Sequence, residues 1–283
     1  MRPCHDQEHV MPSAIVTREH WISSEKGQLF AQAWTPAGNT GEPILLLHDS
    51  LGCVTLWRDF PESLAGATGR PVIAYDRLGF GRSERYPGAL PLDFIDEEAR
   101  TVFPLLQQHF GFERCVVFGH SVGGAMAVTC VARHPQTCVA LITESAQAFV
   151  EHRTRDGIRA AEVEFAREGQ LQRLQKYHGD KAFWVLRAWV DTWLSDDFSD
   201  WNLDAELAQV KCPTLSLHGE QDEYGSAAHP QRLTSIPGVP TMLRLLPDCG
   251  HVPHREQQPA VLQAVAEFFQ RHVPQAPSVV GRR

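Results

Sequence analysis

The sequence predicts an α/β fold built on a mostly parallel sheet with helices on both faces. Short, β-branched-rich apolar runs alternate with longer stretches of helical spacing. The runs are apolar at consecutive positions, as strands covered on both faces must be. No internal repeat and no long Gly/Ser or Pro linker divides the chain, so one domain carrying an insertion is expected rather than two independent units. Strand alternating with helix then implies right-handed crossovers within a single sheet.

Taken in order, residues 15–23 and 28–34 flank Glu25-Lys26-Gly27 and read as an antiparallel hairpin of mixed polarity. Residues 44–47, 72–75, 115–118, 139–143 and 214–217 are the short runs apolar on both faces, and 242–246 is a further apolar run. Residues 56–67, 92–109, 122–133, 229–236 and 259–272 have helical spacing, with Pro104 expected to kink the second. Residues 147–205 break the rhythm, because a connection between strands usually takes about 2–6 residues. Within them Ile158, Ala161 and Phe165, then Leu171 and Leu174, then Phe183, Leu186, Val190 and Leu194 recur at helical spacing. This stretch is expected to form a helical lid over one end of the sheet. The core is then 13–146 with 206–273, between tails at 1–12 and 274–283.

Composition excludes several classes. With 43% hydrophobic and 21% charged residues the 283-residue chain is an ordinary globular protein, and its net charge of −8 disfavours nucleic acid. The seven cysteines form no C-x-x-C pair and read as reduced thiols of a cytoplasmic protein. His5, Asp6, Glu8 and His9 stand where a signal peptide would be apolar, and no stretch reaches the ~20 apolar residues of a membrane span. No P-loop, dinucleotide fingerprint or H-E-x-x-H occurs, so no cofactor is implied. His5 and His9 have i, i+4 spacing but no further ligands nearby, and no metal site is expected.

The strongest chemical signal is Gly119-His120-Ser121-Val122-Gly123, between the strand 115–118 and a helix of small residues. G-x-S-x-G should occur by chance about 0.1 times in a chain this long. At a strand-to-helix junction the spacing has a physical reason. The turn is so tight that side chains at Gly119 and Gly123 would clash, and it exposes the Ser121 hydroxyl at a helix N-terminus that favours negative charge. A serine needs a base, and the base needs an orienting acid. Asp222 follows the strand 214–217 and His251 follows 242–246, in the order Ser, Asp, His.

These motifs resemble the α/β-hydrolase superfamily over about residues 15–273: LLLHDSLG (45–52), YDRLGFGRS (75–83), GHSVGG (119–124), GEQD (219–222) and CGHVPHRE (249–256). The resemblance implies an eight-stranded, mostly parallel sheet with the lid inserted after the sixth strand. It implies Ser121 as nucleophile, Asp222 as orienting acid, His251 as general base, and the N–H groups of Val122 and Ser50 as the oxyanion hole. One departure is Asp49, where the family usually has glycine after histidine. A carboxylate pointing into the hole would oppose the oxyanion, so Asp49 is expected to point away and make local hydrogen bonds. Glu144, Glu220 and Glu223 are rival acids and His254 a rival base. His48 and His120 are read as bonding backbone near the turns, and His218 as only ending its strand. Serine rather than a carboxylate at 121 excludes the dehalogenase and epoxide hydrolase pattern.

The expected activity is hydrolysis of a small carboxylic ester, lactone or thioester through an acyl-enzyme. The alternatives are hydrolysis of a C–C bond in a diketone-type acid, a non-catalytic ligand receptor, and cofactor-independent oxygenation. Trp184, Trp189 and Trp193 of the lid are candidates for the pocket ceiling, although aromatic packing within the lid accounts for most of its aromatic residues. Eight Lys/Arg lie among residues 151–187, including Arg155 and Arg159, while the charged residues of 191–206 are all acidic. The basic strip suggests a carrier protein or a coenzyme A-linked acyl group, set against a simple solvated face.

Overall fold

In the central strands, successive residues feed two different hydrophobic layers. Leu45, Leu47, Ile73, Tyr75, Cys115, Val117 and Leu141 pack on one side of the sheet; Ile44, Leu46, Val72, Ala74, Val116, Phe118 and Ile142 pack on the other. This is the two-residue period of a strand buried on both faces. Each such Leu, Ile or Val side chain contributes about 1.5–3 kcal/mol of burial.

The computed structural model describes residues 14–39 and 41–273. The tails expected at 1–12 and 274–283, with Cys4, His5 and His9, fall outside the described residues. The first half of the chain runs β1 (Ile15–Ser24), β2 (Gly27–Pro36), β3 (Ile44–Leu47), α1 (Phe60–Thr68), β4 (Val72–Tyr75), α2 (Phe94–Glu97), α3 (Phe103–Phe110), β5 (Cys115–His120), α4 (Val122–Arg133) and β6 (Cys138–Glu144). Then come α5 (His152–Phe165), α6 (Gln170–His178), α7 (Ala182–Leu194), α8 (Asp204–Leu207), β7 (Thr214–Gly219), α9 (Ala228–Thr234), β8 (Thr241–Leu246), α10 (Pro253–Glu256) and α11 (Gln258–His272). The eight strands form one sheet in the order β1-β2-β4-β3-β5-β6-β7-β8. β2 is antiparallel to β1 and β4, and the rest are parallel. Residues 147–205 between β6 and β7 are mostly helical. Among the described residues no helix is long and apolar enough to cross a membrane.

Three local readings are corrected. The helix expected at 56–67 divides into a 3-10 turn, Val54–Trp57, and α1. Pro104 does not kink a continuous helix. Instead α2 passes into a π-helical turn, Glu98–Val102, in which the Phe103 N–H reaches back to the Glu98 carbonyl, and α3 restarts with Pro104 in its first turn. There the missing proline N–H costs nothing, and the widened turn absorbs the register change. Phe183, counted in the apolar stripe of α7, is 62% exposed, and the helix buries Val185, Leu186, Val190 and Trp193 instead.

The glycines around β5 behave as the tight turn demands. A Cβ on Gly119 would overlap the Gly123 carbonyl, and one on Gly123 would overlap the Leu47 carbonyl. Backbone cannot swing aside as a flexible side chain can. Gly119→Ala is therefore expected to lose about 3 kcal/mol of stability, seen as a lower urea midpoint with an unchanged slope. A change below about 0.5 kcal/mol, the size of a neutral surface substitution, contradicts this account of the turn.

Candidate active site

Ser121 sits between β5 and α4 with φ 55° and ψ −126°, a conformation that L-residues rarely adopt. Its N–H donates to the Glu144 carbonyl at 2.8 Å, and its own carbonyl accepts from Gly124 N–H at 2.8 Å. Both ends of the turn are thus tied. Val122 opens α4, so its N–H belongs to the first-turn donors that have no intrahelical acceptor. The Ser121 hydroxyl donates to Gln147 Oε1 at 3.4 Å.

Asp222 and His251 meet as the spacing suggested. Asp222 is fully buried in the loop after β7, and His251 Nδ1 lies 2.9 Å from each of its carboxylate oxygens. Asp222 Oδ1 also accepts from the N–H groups of Tyr224 (2.8 Å) and Gly225 (3.2 Å). Burial alone would raise the Asp222 pKa, but His251 and these donors hold it below the usual aspartate range. For His251 burial works against the imidazolium, and the Asp222 carboxylate outweighs it, so its pKa lies above the ordinary histidine value.

The rival residues form a second layer behind this pair. Glu144 is fully buried at the end of β6 and bonds His254 Nδ1 at 2.6 Å, not His251. His120 Nε2 donates to the His251 carbonyl at 2.8 Å, and burial pulls its pKa down to about 4, so it is neutral. His218 does more than end its strand: Nε2 donates to the Gly225 carbonyl at 3.1 Å and lies 3.7 Å from Asp222. His120, Glu144 and His254 bring ligand-type atoms within 4.8 Å of one another, but the ring nitrogens that face Glu144 and the His251 carbonyl already have partners.

The loop after β3 comes close to Ser121. His48 Nε2 accepts from Arg77 N–H at 3.1 Å, so Nδ1 carries the proton and donates to the Asp49 carbonyl at 2.8 Å. Arg77 donates to the same carbonyl at 2.9 Å. The reading of Asp49 is corrected in part. Its local hydrogen bonds are made by its carbonyl, while its carboxylate lies against Gly52 and the residue lines the same cavity as Ser121 and His251. The Arg77 and His48 bonds hold this backbone in place, and the side chain follows.

That cavity, about 230 Å³, is lined by Ser50, Ser121 and His251 with Gln147, Ile158, Trp189, Trp193 and Tyr224. The placement of Trp184 is corrected. It stacks on Tyr86 with ring centroids 5.6 Å apart, and its Nε1 donates to the Gly88 carbonyl at 2.7 Å, away from Ser121. Gln147 and Tyr224 also line the cavity without having been singled out, as does Glu223, read from the sequence only as a rival acid.

Residues 42–195 match the model of the α/β hydrolase fold family. The chain belongs to that family. It is 27% identical to serine hydrolase BPHL of Mus musculus over 243 residues, covering 82% of this chain and 81% of that protein. It is also 27% identical over 255 residues to the dihydrolipoyllysine-residue acetyltransferase component of the acetoin cleaving system of Pseudomonas putida, covering 83% of this chain but 65% of that longer protein. Among solved structures, 2-hydroxy-6-oxo-6-phenylhexa-2,4-dienoate hydrolase from Rhodococcus superposes with a TM-score of 0.73 at 19% identity, covering 91% of this chain and all of that one. Proline iminopeptidase of Mycobacterium smegmatis superposes at 0.68 with 23% identity, covering 90% and 98%. At these identities the structural matches speak for the α/β-hydrolase fold alone.

In this α/β-hydrolase-fold chain the insertion is bolted to the core. His178 of α6 accepts from Gly81 N–H at 2.9 Å and donates to the Leu51 carbonyl at 3.0 Å, bridging two of the motif loops. Lys181 donates to the carbonyls of Gly81 and Ser83. The Thr154 hydroxyl donates to the Tyr224 carbonyl at 2.7 Å. Half of the basic strip is answered within the insertion: Arg159 pairs with Asp156, Arg167 with Glu164, Arg187 with Glu162 and Asp191, and Arg155 with Asp196.

The His251 pKa gives a direct check on this geometry. Titration of its ring protons by NMR is expected to give a midpoint above the ordinary 6.5, with the imidazolium persisting to higher pH than in a free histidine. In Asp222→Asn the opposing carboxylate is lost and burial remains, so the midpoint falls below the native one. An unchanged midpoint contradicts the pairing.

Proposed function

We propose that the protein is a serine hydrolase that cleaves a small carboxylic ester, lactone or thioester through an acyl-enzyme. The observation that carries this reading is that Ser121, held on a strained turn at a helix N-terminus, shares one cavity with a histidine bonded to a buried carboxylate. The rival Glu144 and His254 do not reproduce it, since they engage each other.

In this mechanism the Ser121 hydroxyl rotates from Gln147 to His251 Nε2 and gives up its proton as Oγ attacks the carbonyl carbon. The Val122 and Ser50 N–H groups receive the oxyanion. His251 passes the proton to the leaving group, then takes one from water as it attacks the acyl-enzyme, and returns it to Ser121 Oγ as the acyl C–Oγ bond breaks and the acid is released. Asp222 stays ionised throughout and holds the imidazole in the correct tautomer. Trp189 and Trp193 wall the acyl site. A cavity of about 230 Å³ suits a small acyl group. With Arg155, Arg159, Arg167 and Arg187 of the strip paired inside the lid, a free small molecule is favoured over a carrier-bound one. The six described cysteines are all free and buried, which suits a cytoplasmic protein.

The test is a panel of p-nitrophenyl esters of increasing chain length with a thioester and a diketone acid added. The native protein is expected to turn over short esters, and Ser121→Ala to lose about 10⁴-fold or more. Trp189→Ala is expected to raise KM, whereas Trp184→Ala leaves the rate within about threefold, because only Trp189 lines the cavity. No turnover of any ester or thioester, or equal turnover by Ser121→Ala, overturns the proposal. Cleavage of the diketone acid alone moves the activity to the C–C class.

A further inference from the structure

A second, larger cavity of about 410 Å³ lies beneath the β1–β2 hairpin turn, between it, the loop after β4 and the π-helical turn. Its size falls inside the range of about 300–1,000 Å³ usual for small-ligand sites. Its walls are mainly apolar, with Leu29, Leu78, Phe94 and Leu105 among them, yet Arg77 is set into them.

Arg77 is 3% exposed, stacks on the Phe80 ring at 4.0 Å and uses one of its five N–H donors, on the Asp49 carbonyl. Its Nε is buried with no partner, and among the described residues no carboxylate forms an ion pair with it. The other deeply buried guanidinium, Arg70, has Glu42 at 2.7 Å. Four other charged residues line the cavity: Lys26 and Glu97 pair with each other, Glu25 belongs to the hairpin turn, and Glu98 comes from the π-helical turn. Glu98 accepts from the Tyr75 hydroxyl at 2.7 Å, and burial pushes its pKa up to about 7 against the attraction of Arg77. A buried guanidinium that no carboxylate ion-pairs among the described residues, with Nε unpartnered, on the wall of a chamber whose other lining is largely apolar, is half of a recognition pair.

We propose that this chamber binds an amphipathic carboxylate, its apolar body against the Leu29–Leu105 walls and its anionic head on the Arg77 guanidinium. The site lies outside the Ser121 cavity, and binding there does not depend on the proposed hydrolysis. Between the two chambers lies a gap of about 10 Å³, lined by Ser50, Trp189 and Trp193 of the first and by Arg77, Phe80 and Phe94 of the second. The carboxylate can therefore come from either of two sources: the far end of an extended acyl substrate, or a separate acid seated beside the Asp49–Ser50 backbone that Arg77 holds.

Octanoate and the neutral 1-octanol, titrated calorimetrically into the full-length protein, separate charge recognition from mere apolar uptake. Octanoate is expected to bind at least tenfold more tightly, with the preference abolished in Arg77→Met and both ligands weakened in Leu105→Trp, which fills the chamber away from Ser121. The Leu105 variant keeps the test decisive should Arg77→Met fail to fold. The source is read from two arms that both support the site. An acyl tail makes octanoate a competitive inhibitor of p-nitrophenyl ester hydrolysis and favours the p-nitrophenyl half-ester of sebacic acid. A separate ligand leaves octanoate affinity unchanged on phosphonylated Ser121. Equal binding of octanoate and octanol, no binding of either, or a preference that survives in Arg77→Met overturns the proposal. Because binding is measured without turnover, a protein that hydrolyses no ester leaves this result intact.

Discussion

The structure depends most on the backbone of Ser121, held in a left-handed turn where strand β5 meets helix α4. That conformation is unfavourable for serine, and it persists because the surroundings over-determine it. Glycines on both sides let carbonyls approach where a Cβ would collide, and hydrogen bonds from the turn reach β6 on one side and α4 on the other. The nucleophile candidate is thereby fixed by main chain rather than by its own side chain, whose hydroxyl keeps the freedom to turn from Gln147 to His251.

The rest of the site is arranged around that fixed point by two tiers of histidine. In the upper tier His251 faces the cavity and Asp222 holds its far nitrogen. In the lower tier neutral His120 bonds the His251 backbone, and Glu144 anchors His254 beside it. A glutamate and a histidine that look in sequence like rival members of the triad instead form its foundation. The His48–Asp49–Arg77 connection does the same for the loop that carries Ser50.

Much of this was legible from the chain. Strands such as 44–47 and 72–75 announced themselves because burial on both faces leaves an uninterrupted apolar run, and Ser121, Asp222 and His251 became candidates because each stands within a few residues of a strand's C-terminal end. Contacts made across long sequence separations were not legible. Gln147 acquires its role only when the chain after β6 returns to Ser121, and His178 and Lys181 only when the insertion folds back onto loops some hundred residues away. Trp184 was misplaced for a simpler reason. Five residues from Trp189, it stands about 140° around the helix, whereas Trp189 and Trp193 share one face. The π-helical turn that aims Glu98 inward has no pattern of its own beyond the following Pro104.

The central claim, that the strained turn delivers an activated serine, is tested most directly by reaction of the native protein with a fluorophosphonate followed by mass spectrometry of its peptides. The account predicts one phosphonyl adduct per chain, on Ser121, formed rapidly in the native protein and much more slowly in His251→Ala, which keeps the hydroxyl but lacks the base. Labelling at another residue, or equal rates with and without His251, would contradict it.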